Sequence, residues 1–420
     1  MKILSLFDGM ACGMLAMQAA GIPVDRYVAF EIDKYAVQTS SHNFPMIEHR
    51  GDVFQADFTE FKGFDFLVGG SPCTYWSIAQ KNNRETVASG MGWELFSQYV
   101  RALHEAQPMY FIYENNKSMS NAIRESITET FGFEPICINS ALVSAQNRQR
   151  LYWVGKRNLD GTYSKVHVDQ PEDRGILLRD VLDAVCWMDK SYTNDSNYHK
   201  TLGQQGFERQ SDRRKMAAEP DRVGTLPNNA KNQAHDSQQY RIYSTDGKSV
   251  TLCGNGGGIG AKTGLYAVPC KVGEIGKGGQ GNRIYSIYGK SVAQTAQSGG
   301  IGSHTGLYAI PIEWDERGTP QKAVSGSDGK TYMVCQVKDG VITIDGERYS
   351  IKLPDGFYII RKLTVAECKR LQTVPEWYEF PVSDTQAYKM LGNGWTVFVI
   401  AHLITATQSG HISEEQLRLF

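Results

Sequence analysis

Long hydrophobic runs, paired cysteines and a strong net charge are all missing from this sequence of 420 residues. No apolar run reaches the roughly 18 residues that a membrane-spanning helix needs, so no membrane span is predicted. The eight cysteines are scattered, with neither the CxxC spacing of a zinc site nor the density of a disulfide scaffold. We therefore predict no metal site and a reducing, cytoplasmic environment. The net charge of −1 excludes a chain that is basic throughout, although it allows a local basic face for nucleic acid.

The composition is that of an ordinary globular protein, with 41% hydrophobic and 21% charged residues. Because 420 residues exceed a typical single domain, we expect two domains. Residues 1–7 resemble the start of a secretion signal, but Asp8 and Gly9 interrupt the stretch before an apolar core forms. The N-terminus is therefore interpreted as a buried first strand.

The first 160 residues alternate short apolar runs with amphipathic stretches, a pattern typical of βαβ units around a parallel sheet. The clearest helix is predicted over residues 94–106, with Leu95, Tyr99, Leu103 and Ala106 on one face. Strands are predicted over residues 3–7, 27–30, 64–68, 109–113 and 151–155. The pattern predicts an α/β, Rossmann-like domain.

The composition of the sequence changes near residue 178, where a polar, glycine-rich segment with weak hydrophobic periodicity begins. Helical patterning returns near residue 361, and the apolar segment 395–406 is expected to pack back onto the first domain. The predicted domains are 1–177, a smaller, irregular and β-rich domain over 178–384, and a segment over 385–420 that completes the first domain.

An internal repeat lies in the second domain. Residues 241–269 (RIYSTDGKSVTLCGNGGGIGAKTGLYAVP) match residues 283–311 (RIYSIYGKSVAQTAQSGGIGSHTGLYAIP), 42 residues later, at 18 of 29 aligned positions. Two copies are too few for a solenoid, which needs about three.

Glycines and acids at the ends of predicted strands indicate a nucleotide-type ligand. The run LFDGMACG follows the first strand and opens a helix, where glycines allow close approach and the helix N-terminus offers free N–H groups. Glu31 ends the next strand, where an acid suits ribose hydroxyls, and Asp52 with Val53 follows as a candidate contact to an adenine edge. The glycine run alone equally fits an ordinary turn, and the ordered strand ends favour the ligand site.

A cysteine and a carboxyl group follow two other predicted strands. Cys73 lies in the loop GGSPC after strand 64–68, and Glu114 follows strand 109–113. A lone cysteine is usually a small buried residue, but a Pro-Cys pair in a glycine-bearing loop suits a core poorly. A thiolate near a carboxyl group can attack an unsaturated, weakly electrophilic ring. Arg148 and Arg150 precede the last strand and are candidates for phosphate or base contacts, or else a solvated surface pair.

Together these motifs resemble the series of the cytosine-5 DNA methyltransferases, over residues 1–160 and 361–400. Each motif alone is unspecific, but their order and approximate spacing match those of the family. The forms FDGMACG and SPCT most resemble the branch that contains the vertebrate de novo enzymes and many phage-encoded relatives. In chain order the motifs are LFDGMACG, FEID, GDV, GGSPC, YEN, QNRQR, RKLTVAECKRLQTVP and LGNGWTV.

The resemblance implies a Rossmann-like, S-adenosylmethionine-dependent methyltransferase fold that acts on a flipped-out cytosine in double-stranded DNA. It implies that Cys73 is the nucleophile that adds to carbon 6. It also implies that Glu114 bonds ring nitrogen 3 and the exocyclic amine. Arg148 is implied to support the base or the thiolate, and Arg150 to help hold the site. Methyl transfer to carbon 5, loss of the carbon-5 proton and release of the thiolate would follow.

The resemblance also implies the cofactor, S-adenosylmethionine. The matching positions are Phe7, Asp8, Gly9, Glu31, Ile32, Asp52, Val53, Asn393 and Trp395. Trp395 fits core packing as well. Two positions depart from the family pattern, because Thr74 replaces the usual Gln or Asn after the cysteine and Asn116 replaces the valine of Glu-Asn-Val.

Target recognition is implied for the segment between the QNRQR and RKLTVAE motifs, roughly residues 178–360. Small residues there permit close approach to DNA, and polar groups read base edges. The candidate DNA-binding residues are Ser249, Thr251, Leu252, Gly257 and, in the second copy of the repeat, Ser291. The second copy is interpreted in three ways: a separate recognition module, an extension of one recognition surface, or a duplicated scaffold without base contacts.

Two other functions fit parts of the pattern. A tRNA cytosine methyltransferase has similar motifs, although the large recognition insert disfavours it. A catalytically inactive DNA-binding homologue is disfavoured because Cys73, Glu114, Arg148 and Arg150 are all present. We therefore expect a monomeric, sequence-specific enzyme in the cytoplasm of a bacterial or phage-infected cell, of the kind found in restriction-modification systems.

Overall fold

The structure is a computed structural model. It describes residues 1–77, 84–183, 185–186, 222–225, 241–243, 265–266, 271–276, 280–295, 305–312, 323–326, 330–344 and 346–408. The chain forms two compact units: Met1–Ile176, Val292–Thr305 and Leu363–Phe420 in the first, and Leu177–Ser291 and Gly306–Lys362 in the second.

The units differ from the predicted domains, since Val292–Thr305, predicted within the second domain, belongs to the first unit. The second unit begins at Leu177, where the sequence predicts 178. The first unit resumes at Leu363 rather than at 385. The physical reason is that the helix Val365–Leu371 packs against the helix Asp384–Asn393.

A mixed sheet of eight strands forms the centre of the first unit. Its strands are β1 (Lys2–Leu6), β2 (Arg26–Phe30), β3 (Glu48–His49), β4 (Phe66–Gly69), β5 (Tyr110–Asn116), β6 (Ile136–Asn139), β8 (Gln149–Arg157) and β9 (Tyr163–Lys165), and the short β7 (Gln146–Asn147) lies outside it. The order is β3-β2-β1-β4-β5-β8-β6, with β9 beside β8. Neighbours from β3 to β5 run parallel, whereas β8 is antiparallel to β5 and β6. All five predicted strands are present, and the predicted α/β, Rossmann-like fold is confirmed.

Seven helices of the first unit are described: α1 (Cys12–Ala19), α2 (Lys34–Asn43), α3 (Gly90–Ala106), α4 (Asn121–Phe131), α5 (Val365–Leu371), α6 (Asp384–Asn393) and α7 (Val397–Thr407). The predicted helix, α3, begins at Gly90 rather than at 94. Of its predicted face, Tyr99, Leu103 and Ala106 are buried, but Leu95 is only partly buried and Phe96 is buried instead. The buried stripe is therefore rotated by one residue at its N-terminal end.

Two helix starts follow directly from local sequence. At α5, Thr364 Oγ1 accepts from the Glu367 N–H (3.1 Å) while Glu367 Oε2 accepts from the Thr364 N–H (2.7 Å). This reciprocal capping pair satisfies two N–H groups that the first turn leaves without helical partners. At α4, Ser120 Oγ accepts from the Ile123 N–H (3.3 Å).

An aromatic core fixes the carboxyl ends of β4 and β5 side by side. Tyr99, which is fully buried, donates its hydroxyl to Leu67 O (3.2 Å) and Ile112 O (2.9 Å), one in each strand. Gly69 pairs with Tyr113 in the parallel register. The residues that follow these two strands therefore leave the same edge of the sheet, where doubly wound folds hold ligands.

The second unit is built of strands. They are β10 (Val185–Cys186), β11 (Arg222–Thr225), β12 (Arg241–Tyr243), β13 (Leu265–Tyr266), β14 (Lys271–Glu274), β15 (Arg283–Ser286), β17 (Leu307–Ile312), β18 (Ala323–Gly326), β19 (Thr331–Lys338), β20 (Val341–Ile344), β21 (Glu347–Ser350) and β22 (Gly356–Arg361), while β16 (Ser291–Val292) crosses the unit boundary. Nine of them form one sheet, ordered β10-β18-β19-β22-β17-β15-β14, with β20 beside β19 and β21 beside β20. A separate sheet has the order β11-β12-β13.

The internal repeat corresponds to a repeated strand arrangement. Ile242 pairs in parallel with Leu265, and 42 residues later Ile284 pairs in parallel with Leu307. In each copy the preceding strand, β11 or β14, is antiparallel to the first strand of the repeat, with a register shift at the same place. The duplicated element is thus a three-stranded unit that begins before the repeat detected in the sequence.

One stretch of the described chain, Asp384–Thr407, is long and apolar enough to cross a membrane by length and composition. Within its most apolar window 72% is buried in the protein. The stretch is divided into α6 and α7, and a mostly buried segment of this kind is typical of core helices.

Candidate active site

The turn between β1 and α1 is held to the end of β2 by one carboxylate. Phe7 and Gly9 both adopt positive φ angles, 58° and 60°, which bends the chain sharply after β1. The Gly9 N–H donates to Glu31 Oε2, and Ile32 and Asp33 donate their N–H groups to Glu31 Oε1, each at 2.8 Å. Three backbone donors thus orient Glu31, one of the predicted cofactor ligands, at the edge of a cavity.

Asp8, a second predicted cofactor ligand, has one oxygen without a partner. Its Oδ1 accepts from Ser5 Oγ and from the Tyr27 hydroxyl, both at 2.6 Å, whereas its buried Oδ2 has no hydrogen-bond partner. Burial raises the pKa of Asp8 to about 6, the bonds from Ser5 and Tyr27 lower it, and the charge of Glu31 raises it. A buried carboxylate oxygen of this kind is costly unless a donor or a cation meets it.

The cavity lies at the carboxyl edge of the sheet in the first unit and has a volume of about 980 Å³, part of it open to solvent. Six of the nine predicted cofactor residues line it: Phe7, Asp8, Gly9, Glu31, Asn393 and Trp395. Asp33, Lys389 and Met390 line it as well, and so do Cys73 and Glu114. The cavity therefore joins the turn after β1 to both of the principal catalytic candidates.

The other three predicted cofactor residues lie outside this lining. Ile32 is 76% exposed, and Val53 is buried. Asp52 uses Oδ1 to accept from the Phe54 N–H (3.0 Å), which caps a short 3-10 helix. Their roles as cofactor contacts stay predictions.

The loop that carries Cys73 is tied closely to β5. A Cβ atom on Gly70 would lie 2.6 Å from Glu114 O, so only glycine allows the loop to approach this closely. Ser71 Oγ and the Tyr113 hydroxyl are 2.7 Å apart, and Asn115 Nδ2 donates to Ser71 O (3.2 Å). These contacts, which the sequence reasoning missed, fix Cys73 relative to Glu114.

Cys73 itself is partly exposed and begins a 3-10 turn. Its carbonyl accepts from the Trp76 and Ser77 N–H groups (3.1 and 2.9 Å). Trp76 is fully buried and donates its indole N–H to Glu85 Oε2 (3.0 Å). The turn is therefore anchored by a buried ring, while the thiol lines the cavity.

Each carboxylate oxygen of Glu114 has its own partner, an ion pair on one and a hydrogen bond on the other. Arg150 Nε lies 3.0 Å from Oε1, and Trp395 Nε1 donates to Oε2 at 3.0 Å. The side chains of Glu114 and Arg150 are only 12% and 16% exposed. Breaking such an ion pair from one side leaves an uncompensated charge in a largely buried site, which is strongly unfavourable.

Arg148 is buried and bonds backbone carbonyls. Its two terminal nitrogens donate to Gln294 O (3.2 Å), to Gly392 O (3.1 Å from each) and to Gly394 O (2.8 Å). The guanidinium thereby clamps the loop between α6 and α7, which carries two of the predicted cofactor residues. Its predicted support of the base or the thiolate stays a prediction.

Electrostatics connect Arg148 to the catalytic candidates. Burial, followed by the charge of Arg150, lowers the pKa of Arg148 to about 10, while Glu114 and Cys73 oppose this shift. At neutral pH the guanidinium is therefore charged, and it places a buried positive charge near Glu114 and Cys73.

Four of the predicted DNA-binding residues, Ser249, Thr251, Leu252 and Gly257, lie outside the described residues. The fifth, Ser291, is fully buried. A direct base contact from Ser291 would require its side chain to become exposed, and all five assignments stay predictions.

The site unites a thiol, a carboxyl group held by an ion pair and a hydrogen bond, and a cavity with an unpartnered acidic oxygen. This arrangement suits transfer of a group from a ligand in the cavity to a substrate attached to the thiol. Such a transfer requires only that the ligand and the substrate approach within the one cavity.

Known proteins with a similar sequence or fold are methyltransferases by name. The chain is 28% identical over 321 residues to an orphan methyltransferase of Bacillus phage rho11s, covering 66% of this chain and 62% of that protein. It is 34% identical over 169 residues to an orphan methyltransferase of Bacillus phage SPR, covering 37% and 38% of the two chains. The chain thus spans less than two thirds of the length of either relative.

The fold is similar to the solved structure of a methyltransferase from Entamoeba histolytica, with a TM-score of 0.51 and 12% identity over 97% of this chain and 98% of the other. At that identity the likeness concerns the fold alone. The family model described as C-5 cytosine-specific DNA methylase matches residues 1–409, and the chain therefore belongs to the C-5 cytosine-specific DNA methylase family.

Proposed function

We propose that this protein is a DNA (cytosine-5-)-methyltransferase that transfers a methyl group from S-adenosylmethionine to carbon 5 of a flipped cytosine in double-stranded DNA. The observation that carries the proposal is that Cys73 and Glu114 line the same cavity as Asp8 and Glu31. Membership of the cytosine-specific family supports the choice of substrate.

S-adenosylmethionine fits the described residues of the cavity. Its amino group and sulfonium are cationic, and the unpartnered Oδ2 of Asp8 offers a buried acceptor for a charge of that sign. Glu31, held by three backbone donors, retains lone pairs that can accept ribose hydroxyls. When bound, the cofactor supplies the electrophilic methyl group.

Cys73 forms the covalent bond in the proposed reaction. Its thiolate adds to carbon 6 of the cytosine, and the electron pair of the 5,6 double bond moves through the ring toward nitrogen 3. Glu114 supplies the proton that nitrogen 3 takes up, which leaves carbon 5 electron-rich. The bonds between Ser71 and Tyr113 and from Asn115 to Ser71 O hold the loop that carries Cys73 in place for this attack.

The covalent adduct then breaks down, and Cys73 and Glu114 return to their starting states. Carbon 5 forms a bond to the transferred methyl group, and a base or water removes the carbon-5 proton. The electron pair of that C–H bond restores the double bond, the sulfur–carbon-6 bond breaks, and the nitrogen-3 proton returns to Glu114. Cys73 leaves as a thiolate, ready for another cycle.

On the DNA side, we propose recognition by the second unit and by Ser249, Thr251, Leu252, Gly257 and Ser291. Arg150 would help hold the flipped base through its bond to Glu114. We further propose a monomer that acts in the cytoplasm of a bacterial or phage-infected cell; the names of the phage relatives support the kind of cell.

Expression in a bacterial host that lacks cytosine methylation, followed by genome-wide sequencing of modified cytosines, tests the function. We expect methylation at defined sequences with the wild type and none with Cys73→Ser. Persistent modification in that variant would overturn the assigned nucleophile. Transfer of labelled methyl groups to tRNA, without transfer to duplex DNA, would overturn the substrate.

A further inference from the structure

The indole of Trp395 lies between the two halves of the site. Its N–H donates to Glu114 Oε2 at 3.0 Å, while the residue lines the cavity proposed for the cofactor. The backbone of Trp395 also bonds Cys12, in the first turn of α1. One residue thus contacts the catalytic carboxyl group, the cofactor cavity and the helix that follows the turn after β1.

The loop that carries Trp395 is held on both sides. Arg148 donates to the carbonyls of Gly392 and Gly394 on the N-terminal side. On the C-terminal side, Thr396 Oγ1 donates to Gln372 Oε1 at 2.8 Å. Because the backbone is fixed on either side, a displacement of the indole is transmitted to Glu114 rather than absorbed by the loop.

An indole N–H can only donate, so its bond restricts how the Glu114 carboxyl group can turn. With the Arg150 ion pair on the other oxygen, the carboxyl group is held on both sides. The lone pairs that remain are those available to the target cytosine. A group that must bond two atoms of a planar base gains from such fixed geometry.

We propose that Trp395 is a positioning residue that orients Glu114 toward the target cytosine and makes this orientation depend on cofactor occupancy. The inference rests on the proposed function. A cofactor that fills the cavity contacts the indole and holds its N–H on Glu114, so binding of the cofactor strengthens engagement of the base. By linkage, bound DNA then strengthens binding of the cofactor by the same factor.

The variant Trp395→Phe tests the proposal because phenylalanine keeps an aromatic ring in the cavity and removes the donor. We expect kcat for methyl transfer to plasmid DNA to fall about 10- to 100-fold, the range for loss of a hydrogen bond to a charged group. The dissociation constant of S-adenosylhomocysteine, measured by calorimetry, should stay within about twofold. The matched control is Trp377→Phe, which changes a half-exposed tryptophan outside the cavity and should leave both values unchanged.

A second measurement does not depend on activity. The seven tryptophans can be labelled with ¹⁵N, and the Trp395 indole resonance identified by its loss in Trp395→Phe. We expect Glu114→Gln and added S-adenosylhomocysteine each to shift this resonance. If neither does, or if the loss in Trp395→Phe lies wholly in cofactor affinity, the inference is wrong. A wild type without transferase activity would instead overturn the proposed function, and the resonance shifts would still decide the inference.

Discussion

Lys389 Nζ and Asp33 Oδ2 form an ion pair at 2.6 Å, and both residues line the cavity of the first unit. The pair joins the last turns of α6 to the start of α2, where Asp33 Oδ1 also caps the helix through the Tyr35 N–H. Burial tends to raise the pKa of Asp33, but the bond from Lys389 and the backbone donors lower it overall. The sequence reasoning did not assign either residue to the site.

We expect Lys389→Met to weaken cofactor binding severalfold, because the pair holds two walls of the cavity together. The loss in unfolding free energy should be small, about 0.5–1 kcal/mol, since both side chains are partly exposed. Calorimetry with S-adenosylhomocysteine and a thermal melt measure the two effects. The neighbouring Lys34→Met removes a lysine outside the cavity and should leave the affinity unchanged; equal losses in both variants would contradict the prediction.

Cofactor affinity should depend on pH through Asp8. Its pKa of about 6 means that the carboxyl group takes up a proton as the pH falls through 6, and it then no longer attracts a cationic ligand. We expect the dissociation constant to rise up to about tenfold per pH unit below 6. Asp8→Asn should bind weakly at pH 8 and show no such slope, and a persisting slope would assign the titration to another group.

The same carboxyl group affects the stability of the ligand-free protein in a defined direction. Because the pKa of Asp8 is raised from 3.8 to about 6, the folded state binds a proton more tightly than the unfolded state. Its contribution is therefore present below pH 3.8 and is lost as the pH rises through 6. Thermal melts of Asp8→Asn and the wild type should agree below pH 3.8 and diverge between pH 3.8 and about 6, and above pH 6 the variant should be more stable by a constant amount.

Substitution of Arg148, which bonds three backbone carbonyls, should have different effects from substitution of Arg150, which pairs with Glu114. Lysine cannot reach three carbonyl groups at once, so Arg148→Lys should lower the free energy of unfolding by about 2–4 kcal/mol and weaken cofactor binding at least about tenfold. Arg150→Lys should instead lower kcat and leave cofactor affinity within about twofold, because its partner is Glu114. Denaturant melts, calorimetry and steady-state kinetics separate these effects. Unchanged cofactor affinity in Arg148→Lys would argue for direct action on the base or thiolate.

Removal of the first copy of the repeat should leave the protein folded, whereas removal of the second copy should not. In the described strands of the first copy, β12 and β13 pair only within their own three-stranded sheet, whereas β17 of the second copy joins β15 to β22 in the large sheet. Replacing residues 187–268 by a flexible linker should therefore leave the thermal transition and S-adenosylhomocysteine binding close to wild type. Deleting residues 283–311 should abolish soluble, folded protein.

The linker must be long enough to reach. β10 and β14 are at opposite ends of the strand order, and neighbouring strands are about 4.8 Å apart, so about 30 Gly/Ser residues are needed. If the shortened protein fails to fold, the first copy is part of the scaffold. If it folds, mapping its methylated sites shows whether sites are lost, which distinguishes a separate recognition module from an extension of one surface.

The neighbourhood of Cys73 and Glu114 could be predicted because Cys73 follows β4, Glu114 lies near the carboxyl end of β5, and parallel strands end at one edge of a sheet. The bond between Trp395 and Glu114 could not, because it joins positions 281 residues apart and depends on where α6 ends. The partner of Arg148 could not be predicted either. Arg148 is two residues from Arg150 in sequence, but it donates to Gly392 O, 244 residues away. Strand patterns predict which edge a residue reaches, whereas the partner of a long side chain is set by packing.

The sequence repeat reveals only two of the three strands in each copy of the repeated unit. Its second and third strands repeat at 42 residues, but the lead strands β11 and β14 begin at Arg222 and Lys271, which is a different spacing. A search at one fixed period therefore misses the first strand of each copy.

The cavity wall contributed by Lys389, Asn393 and Trp395 comes from the last part of the chain, whereas Cys73 and Glu114 are made early in translation. A ribosome that has reached residue 362 has synthesised Cys73, Glu114 and the sheet that carries them, but not this wall of the cavity. Under the proposed function, a product terminated there would carry the thiol of Cys73 without a complete cofactor cavity.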